Sequence, residues 1–184
     1  NYPLGILFNG YKNQWVKDEK VSNNLNIIRS GVWANNRSST IKLLGNYLSF
    51  AMIGLINSLK VKNYDLVIIS SPPLFIGIIA IGLKKIRKAS ILLDLRDIWP
   101  ESVKALGGLK SENLLKAGKW LEKYIYKTVD GYIFPVPGFK NYFKNFFPKE
   151  LNKPMFNLMN GINKDFGIKV SKKTKINSKI LTVL

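Results

Sequence analysis

Residues 66–95 read "LVIISSPPLFIGIIAIGLKKIRKASILLDL", and the order of residue types in them decides the fold. Residues 66–83 are apolar enough to suggest a membrane span. Yet Ser70, Ser71, Pro72 and Pro73 interrupt it, and a proline there would break a spanning helix. The stretch reads better in three pieces. "LVIIS" (66–70) is β-branched and too uniformly apolar for a strand with one wet face; strands buried on both faces of a parallel sheet look like this. Pro73 suits the first turn of a helix, which should run to about Lys85. "ASILLDL" (89–95) then supplies a second buried strand. Strand, helix, strand is a βαβ unit.

The same alternation continues outward. "NLNIIRS" (24–30) alternates and is rich in β-formers, so a strand is expected there, after an irregular basic opening. Between residues 40 and 59, Ile41, Leu44, Leu48, Met52, Leu55 and Leu59 recur at steps of three and four, which predicts a helix with Thr40 as its N-cap. A further helix is expected over 111–127, with Leu114, Leu121, Tyr124 and Ile125 inward. "GYIFPV" (131–136) predicts a third short strand, 140–147 a short helix, and "MFNLMNG" (155–161) the last strand. The expected fold class is therefore α/β: a Rossmann-like parallel sheet with helices on both faces. Residues 1–163 form this domain on the sequence reading. Residues 164–179 are basic, polar and aperiodic, like a linker, and "ILTVL" (180–184) starts another β-type run. That last run cannot satisfy its backbone alone, so it is expected to open a further domain, and the chain reads as a fragment truncated at both ends.

Composition narrows the chemistry. The 184 residues contain no cysteine and no histidine, which excludes disulfides, thiolate nucleophiles, Cys/His zinc sites and histidine-based acid–base catalysis. Any proton must move through a carboxylate, a lysine, a tyrosine or the substrate itself. The net charge of +18 favours anionic partners, whether nucleic acid, an acidic membrane surface or a phosphate-bearing small molecule. A lysine-rich compositional bias explains the charge equally well, because only Arg29, Arg37, Arg87 and Arg96 are arginine. The opening "NYPLGILFNGYKNQW" has no signal-peptide order, and Gly5, Gly10 and Gly31 do not form a phosphate-binding glycine loop.

In an open parallel sheet, ligands bind beyond the carboxyl ends of the strands. Three polar clusters fall there: "SSPP" (70–73), "DLRDIWPE" (94–101) and "MNG" (159–161). The two-residue period of a strand puts Asp94 and Arg96 on one face, with Asp97 just past the end. Arg96 can pair with either carboxylate and also offers a fork of donors to a phosphate or a sugar hydroxyl. Trp99 can stack on a sugar face or a lipid. The same residues also fit a purely structural role, an ion pair pinning the loop with Trp99 as a lid on the core.

The string "SSPPLFIGIIAIGLKKIRKASILLDLRDIWPESVKALGGLK" (70–110) resembles the family 4 glycosyltransferases, in the subgroup that assembles bacterial surface polysaccharides and sugar-lipids. That subgroup carries an S-P-P-L-F turn and a D-x-R-D-x-W-P-E-S strand end at about this spacing. "NYP…GYK" near the start and "NLMNGIN" (157–163) resemble two further elements of the family. Where members commonly place a small polar residue after the third of these strands, this chain has Pro135, Val136 and Pro137, and Asn163 stands where aspartate is usual.

The resemblance implies one half of a GT-B fold, the N-terminal acceptor-side domain, whose partner domain grips a nucleotide-sugar. It implies transfer of that sugar, with retention, to a glycan acceptor that is expected to be lipid-linked, through a polyprenyl diphosphate. No metal and no cofactor beyond the nucleotide-sugar co-substrate are expected, and no nucleic acid. Arg96, Asp97 and Asp94 are the expected catalytic residues; Ser71, Pro72, Trp99, Glu101 and Tyr2 the acceptor-binding ones; Asn160 and Gly161 face the donor side. The expected location is cytoplasmic, and the helix over 41–59 has two readings, a core helix or one resting on the inner face of the plasma membrane beside the acceptor. By itself the chain is expected to transfer no sugar. The alternatives are a basic nucleic-acid-binding module, which lacks any recognition motif here, and a non-catalytic interaction domain.

Overall fold

The computed structural model describes residues 9–10, 12–35, 39–99 and 111–161. Its centre is a four-stranded parallel sheet flanked by helices, an α/β fold of Rossmann-like type. In chain order the elements are β1 (Val16–Ser22), β2 (Leu25–Ser30), α1 (Thr40–Lys60), β3 (Val67–Ser71), α2 (Gly77–Arg87), β4 (Ile91–Leu95), α3 (Glu112–Thr128), β5 (Gly131–Phe134), α4 (Phe139–Phe146) and β6 (Met155–Asn157). Short 3₁₀ turns, Leu74–Ile76 and Pro148–Asn152, precede α2 and β6. The expected linker at 164–179 and run at 180–184 lie outside the described residues.

The sheet order is β3-β4-β5-β6, every neighbour parallel. Each step moves one strand in the same direction, and the fixed hand of a βαβ crossover then carries the connecting helices to the same side. The register places Ile69, Leu93 and Tyr132 side by side on that face, where they join Leu83, Ile125, Tyr126 and Phe143 in one core cluster. The next row, Ser70, Asp94, Ile133 and Phe156, lies on the opposite face. Ile133 and Asp94 are buried there, whereas Ser70 and Phe156 are exposed.

Aromatic packing holds the β5 end of the core. Phe143 of α4 sits 5.0 Å from Tyr126, 4.6 Å from Tyr132 and 5.3 Å from Phe134, ring centre to ring centre. The Tyr132 hydroxyl donates to the Tyr126 carbonyl at 2.8 Å. Lys153 Nζ donates to the Tyr126 and Lys127 carbonyls at 2.7 and 3.0 Å, placing a cation on the negative end of α3.

Several boundaries differ from expectation. The N-cap of α1 is Ser39, whose side chain accepts from the Lys42 N–H, rather than Thr40. Pro73 stands before a 3₁₀ turn, and α2 proper begins at Gly77. The last strand is only Met155–Asn157. Part of the stretch expected to be irregular is a strand: β1 pairs antiparallel with β2 around Asn23 and Asn24. Its sequence, "VKDEKVS", shows no apolar alternation because nearly all of β1 is exposed.

Helix α1 follows its apolar pattern only in part, with Leu55 and Leu59 packed against the core cluster. Its buried stripe is Asn46, Ala51, Gly54 and Asn57, while Ile41, Leu48, Met52 and Ile56 are exposed. Small residues let α1 approach α2 closely; a Cβ on Gly54 would lie 2.9 Å from Ile79 Cδ1. The two buried asparagines latch the neighbouring hairpin. Asn57 donates to the Trp15 carbonyl and Ser30 Oγ, both at 3.0 Å, and Asn46 donates to the Trp33 carbonyl at 2.7 Å. No described helix is long and apolar enough to cross a membrane.

Candidate functional site

The carboxyl ends of β3, β4 and β6 meet at one edge of the sheet. Ser70 and Asp94 are cross-strand partners in the β3–β4 register, and the Ser70 hydroxyl donates to Asp94 Oδ2 at 2.7 Å. Arg96 Nε donates to the same oxygen at 2.7 Å. The Arg96 backbone N–H donates to the Ser71 carbonyl at 3.0 Å, extending the strand pairing by one residue. Across the sheet, Arg96 Nη1 reaches Asn160 Oδ1 at 3.4 Å, a long contact that marks proximity more than strength.

Burial separates the roles of these groups. Asp94 is 7% exposed, so its carboxylate is a desolvated charge that Ser70 and Arg96 together satisfy. The Arg96 side chain is 53% exposed. One nitrogen is anchored, and the outer fork remains at the surface as a donor set for an incoming anion or hydroxyl.

Each sequence-derived site residue has a definite place or lies outside the described residues. Asp94, Arg96 and Asn160 come together. Asp94, rather than Asp97, takes the Arg96 Nε; Asp97 is half-buried on the loop beyond. Ser71 ends β3 beside them, but by the strand alternation its side chain lies on the core face, 2% exposed, with an Oγ that has no hydrogen-bond partner. Pro72 is exposed in the following turn. Gly161 is exposed with open space around it. Glu101 and Tyr2 lie outside the described residues.

Trp99 is half-buried and packs against the core cluster, with its ring edge-on to Phe75 at 6.2 Å. Phe75 in turn stacks with Tyr47 of α1, also at 6.2 Å. Phe75 and Trp99 also line a cavity of about 540 Å³ between α1 and α3, walled almost wholly by apolar atoms. Sequence reading placed Ser70 in the strand-end cluster without a role of its own, and gave Phe75 none. The role of Ser70 is found only through the β3–β4 register, and that of Phe75 only through the approach of α1 to α3. Among the described residues no group of three acidic or other metal-ligating side chains is close enough to hold a metal ion.

No protein-family model matches the chain, and no curated protein matches it.

Proposed function

We propose that this chain is the acceptor-side domain of a glycosyltransferase that moves a sugar from a nucleotide-sugar to a lipid-linked glycan. The observation that carries this reading is the Arg96 guanidinium, fixed by a buried carboxylate and half-exposed at the carboxyl edge of a parallel sheet. That edge is where open α/β sheets bind ligands. The motif string that supplies it, "DLRDIWPES" (94–102), supports the same reading through its resemblance to the family.

In the proposed reaction an acceptor hydroxyl attacks the anomeric carbon on the face from which the nucleoside diphosphate departs. The leaving phosphate takes the hydroxyl proton, so the absence of histidine is no obstacle. Arg96 orients and stabilises the charge of acceptor or diphosphate. Asp94 holds Arg96 in place, with Ser70 fixing Asp94. Asp97 and Asn160 stand beside that cluster as hydrogen-bonding groups for hydroxyls.

The test is transfer from a panel of nucleotide-sugars to a lipid-diphosphate-linked glycan by the protein that carries this sequence. The expected result is a glycosylated product of retained anomeric configuration, lost in Arg96→Ala. Absence of transfer with every donor, together with a salt-sensitive shift of nucleic acid at physiological ionic strength, would overturn the reading.

A further inference from the structure

Part of the basic excess of the chain is concentrated by the β1–β2 hairpin. In its ladder Lys17 stands directly opposite Arg29, and Glu19 is two residues further along the same face. Like charges opposite each other in a strand pair are unfavourable, so strand pairing alone gives no reason for this arrangement. Glu19 offsets it in part. Its carboxylate pairs with Lys17 Nζ and accepts from Arg29 Nε at 3.1 Å. The hydrogen bonds from Lys17 and then Arg29 hold its pKa below the ordinary glutamate value, so it stays ionised between them. The other face of the ladder turns to the body of the protein. There Ser30 Oγ accepts from Asn57 of α1, and Ile28 lines a small space against the same helix. The Lys17 face therefore turns outward, and Gly10, Lys12 and Gln14 meet it to line a cavity of about 420 Å³ with Lys17, Glu19 and Arg29. Lys12 makes no ion pair among the described residues, and the outer nitrogens of Arg29 make no hydrogen bond among them. Three cations against one carboxylate leave two positive charges facing the space.

We infer that this cavity binds a small phosphate monoester, its dianion held by Lys12, Lys17 and the Arg29 fork. A phosphate monoester carries close to two negative charges at neutral pH and presents three acceptor oxygens, which match the charge and the donors here. Arginine supplies the planar fork and the lysines supply point charges around it. The volume falls inside the range of small-molecule pockets, roughly 300–1,000 Å³, which leaves room beside Gln14 for a polar body beyond the phosphate. Glu19 fixes Lys17 and Arg29 before any ligand arrives, so less of the binding energy is lost in ordering them. None of these residues belongs to the Arg96 cluster, so the site stands independently of the glycosyltransferase reading.

The experiment is a calorimetric titration of the protein with glucose 1-phosphate at about pH 7.5, where the ester is a dianion. Glucose, inorganic phosphate and a short single-stranded oligonucleotide serve as separate arms. Lys12→Ala and Arg29→Lys test the cavity. Lys20→Ala is the control, because the two-residue period puts Lys20 on the other face of β1, and it is equally exposed. Glucose 1-phosphate is expected to bind, inorganic phosphate more weakly and glucose not at all. Lys12→Ala should weaken the ester about tenfold or more with the melting temperature unchanged, since Lys12 has no ion pair to lose. Arg29→Lys keeps the charge and loses the fork, and should weaken it about fivefold or more. Lys20→Ala should stay within about twofold of wild type. Equal weakening by Lys12→Ala and Lys20→Ala would overturn the inference, because the overall charge of the chain would then be holding the anion. Inorganic phosphate bound as tightly as the ester would overturn it too, by leaving the body of the ester no place. So would an oligonucleotide that binds wild type and Lys12→Ala alike while glucose 1-phosphate binds neither, which would make the hairpin part of a nucleic-acid surface.

Discussion

Arg96 Nε and the Ser70 hydroxyl share one oxygen, Oδ2 of Asp94, each at 2.7 Å. The buried carboxylate therefore acts as a hinge pin. It draws donors from two adjacent strand ends and fixes the direction in which the guanidinium leaves the sheet. A surface ion pair contributes little to stability, but a carboxylate buried to this degree is costly once it loses a partner. The pair thus couples a buried, structural residue to an exposed, functional one.

The first prediction concerns Arg96→Ala. The side chain is half-exposed, so its loss should cost about 1–2 kcal/mol, set mainly by what Asp94 loses. Transfer by the protein carrying this sequence should fall about 10²–10³-fold, the scale for removing one preorganised donor to a developing negative charge. Thermal denaturation and initial rates measured on the same preparation separate the two effects. A large loss of stability with unchanged turnover of the folded fraction would make the ion pair purely structural.

Two neighbouring serines should behave in opposite ways. Ser70→Ala removes a hydrogen bond to a buried carboxylate and should destabilise by about 1–3 kcal/mol, with Arg96 less well held. Ser71→Ala removes a buried hydroxyl with no hydrogen-bond partner and should be neutral or slightly stabilising. Urea denaturation of the two variants decides. Equal losses would mean that Ser71 has a partner in solution.

The sheet was legible because its strands announce themselves. "LVIIS" and "ILLDL" are buried runs bounded by turn residues, and β3 and β4 fall on them. The clustering of Asp94, Arg96 and Asn160 also follows from placing them at the ends of parallel strands. Other features have no local signature. β1 is exposed along nearly all of its length, so its residues carry no periodic pattern, and only its pairing with β2 makes it a strand. Ser70 and Ser71 look alike in sequence; register and strand alternation alone assign them to different faces. The outward apolar stripe of α1 misleads in the other direction, because a period of three and four says that a helix has an apolar side but not which side is covered.

The aromatic cluster gives a prediction about the core. Phe143 is fully buried against Tyr126, Tyr132 and Phe134, so Phe143→Ala should destabilise by about 3–5 kcal/mol, the transfer loss plus a cavity. Phe143→Leu should cost less. A loss below about 1 kcal/mol for the alanine variant in chemical denaturation would show that α4 does not complete this core.

The last prediction uses Asp130, at the end of the sheet away from Arg96. Its carboxylate accepts from Lys84 Nζ at 2.6 and 2.8 Å and from the Ile91 backbone N–H at 2.8 Å, tying α2 and the start of β4 to the start of β5. Burial opposes its ionisation, but the Lys84 and Ile91 hydrogen bonds outweigh burial and lower its pKa below the ordinary aspartate value. A carboxylate whose folded pKa is depressed contributes stability that is fully present above its unfolded pKa, about 3.9, and is lost as pH falls through the folded value. Its side chain is 45% exposed, so solvent screening limits the ion pair to about 1 kcal/mol or less. Urea midpoints of wild type and Asp130→Asn should therefore differ by a constant amount between pH 5 and 7, then converge as the pH drops below about 4. Lys84→Met should remove most of the same difference, and the double variant should show non-additivity. Because these groups lie away from the Arg96 edge, neither variant should change binding or transfer measured at neutral pH. A gap between wild type and Asp130→Asn that widens on acidification would reverse the sign and refute the assignment.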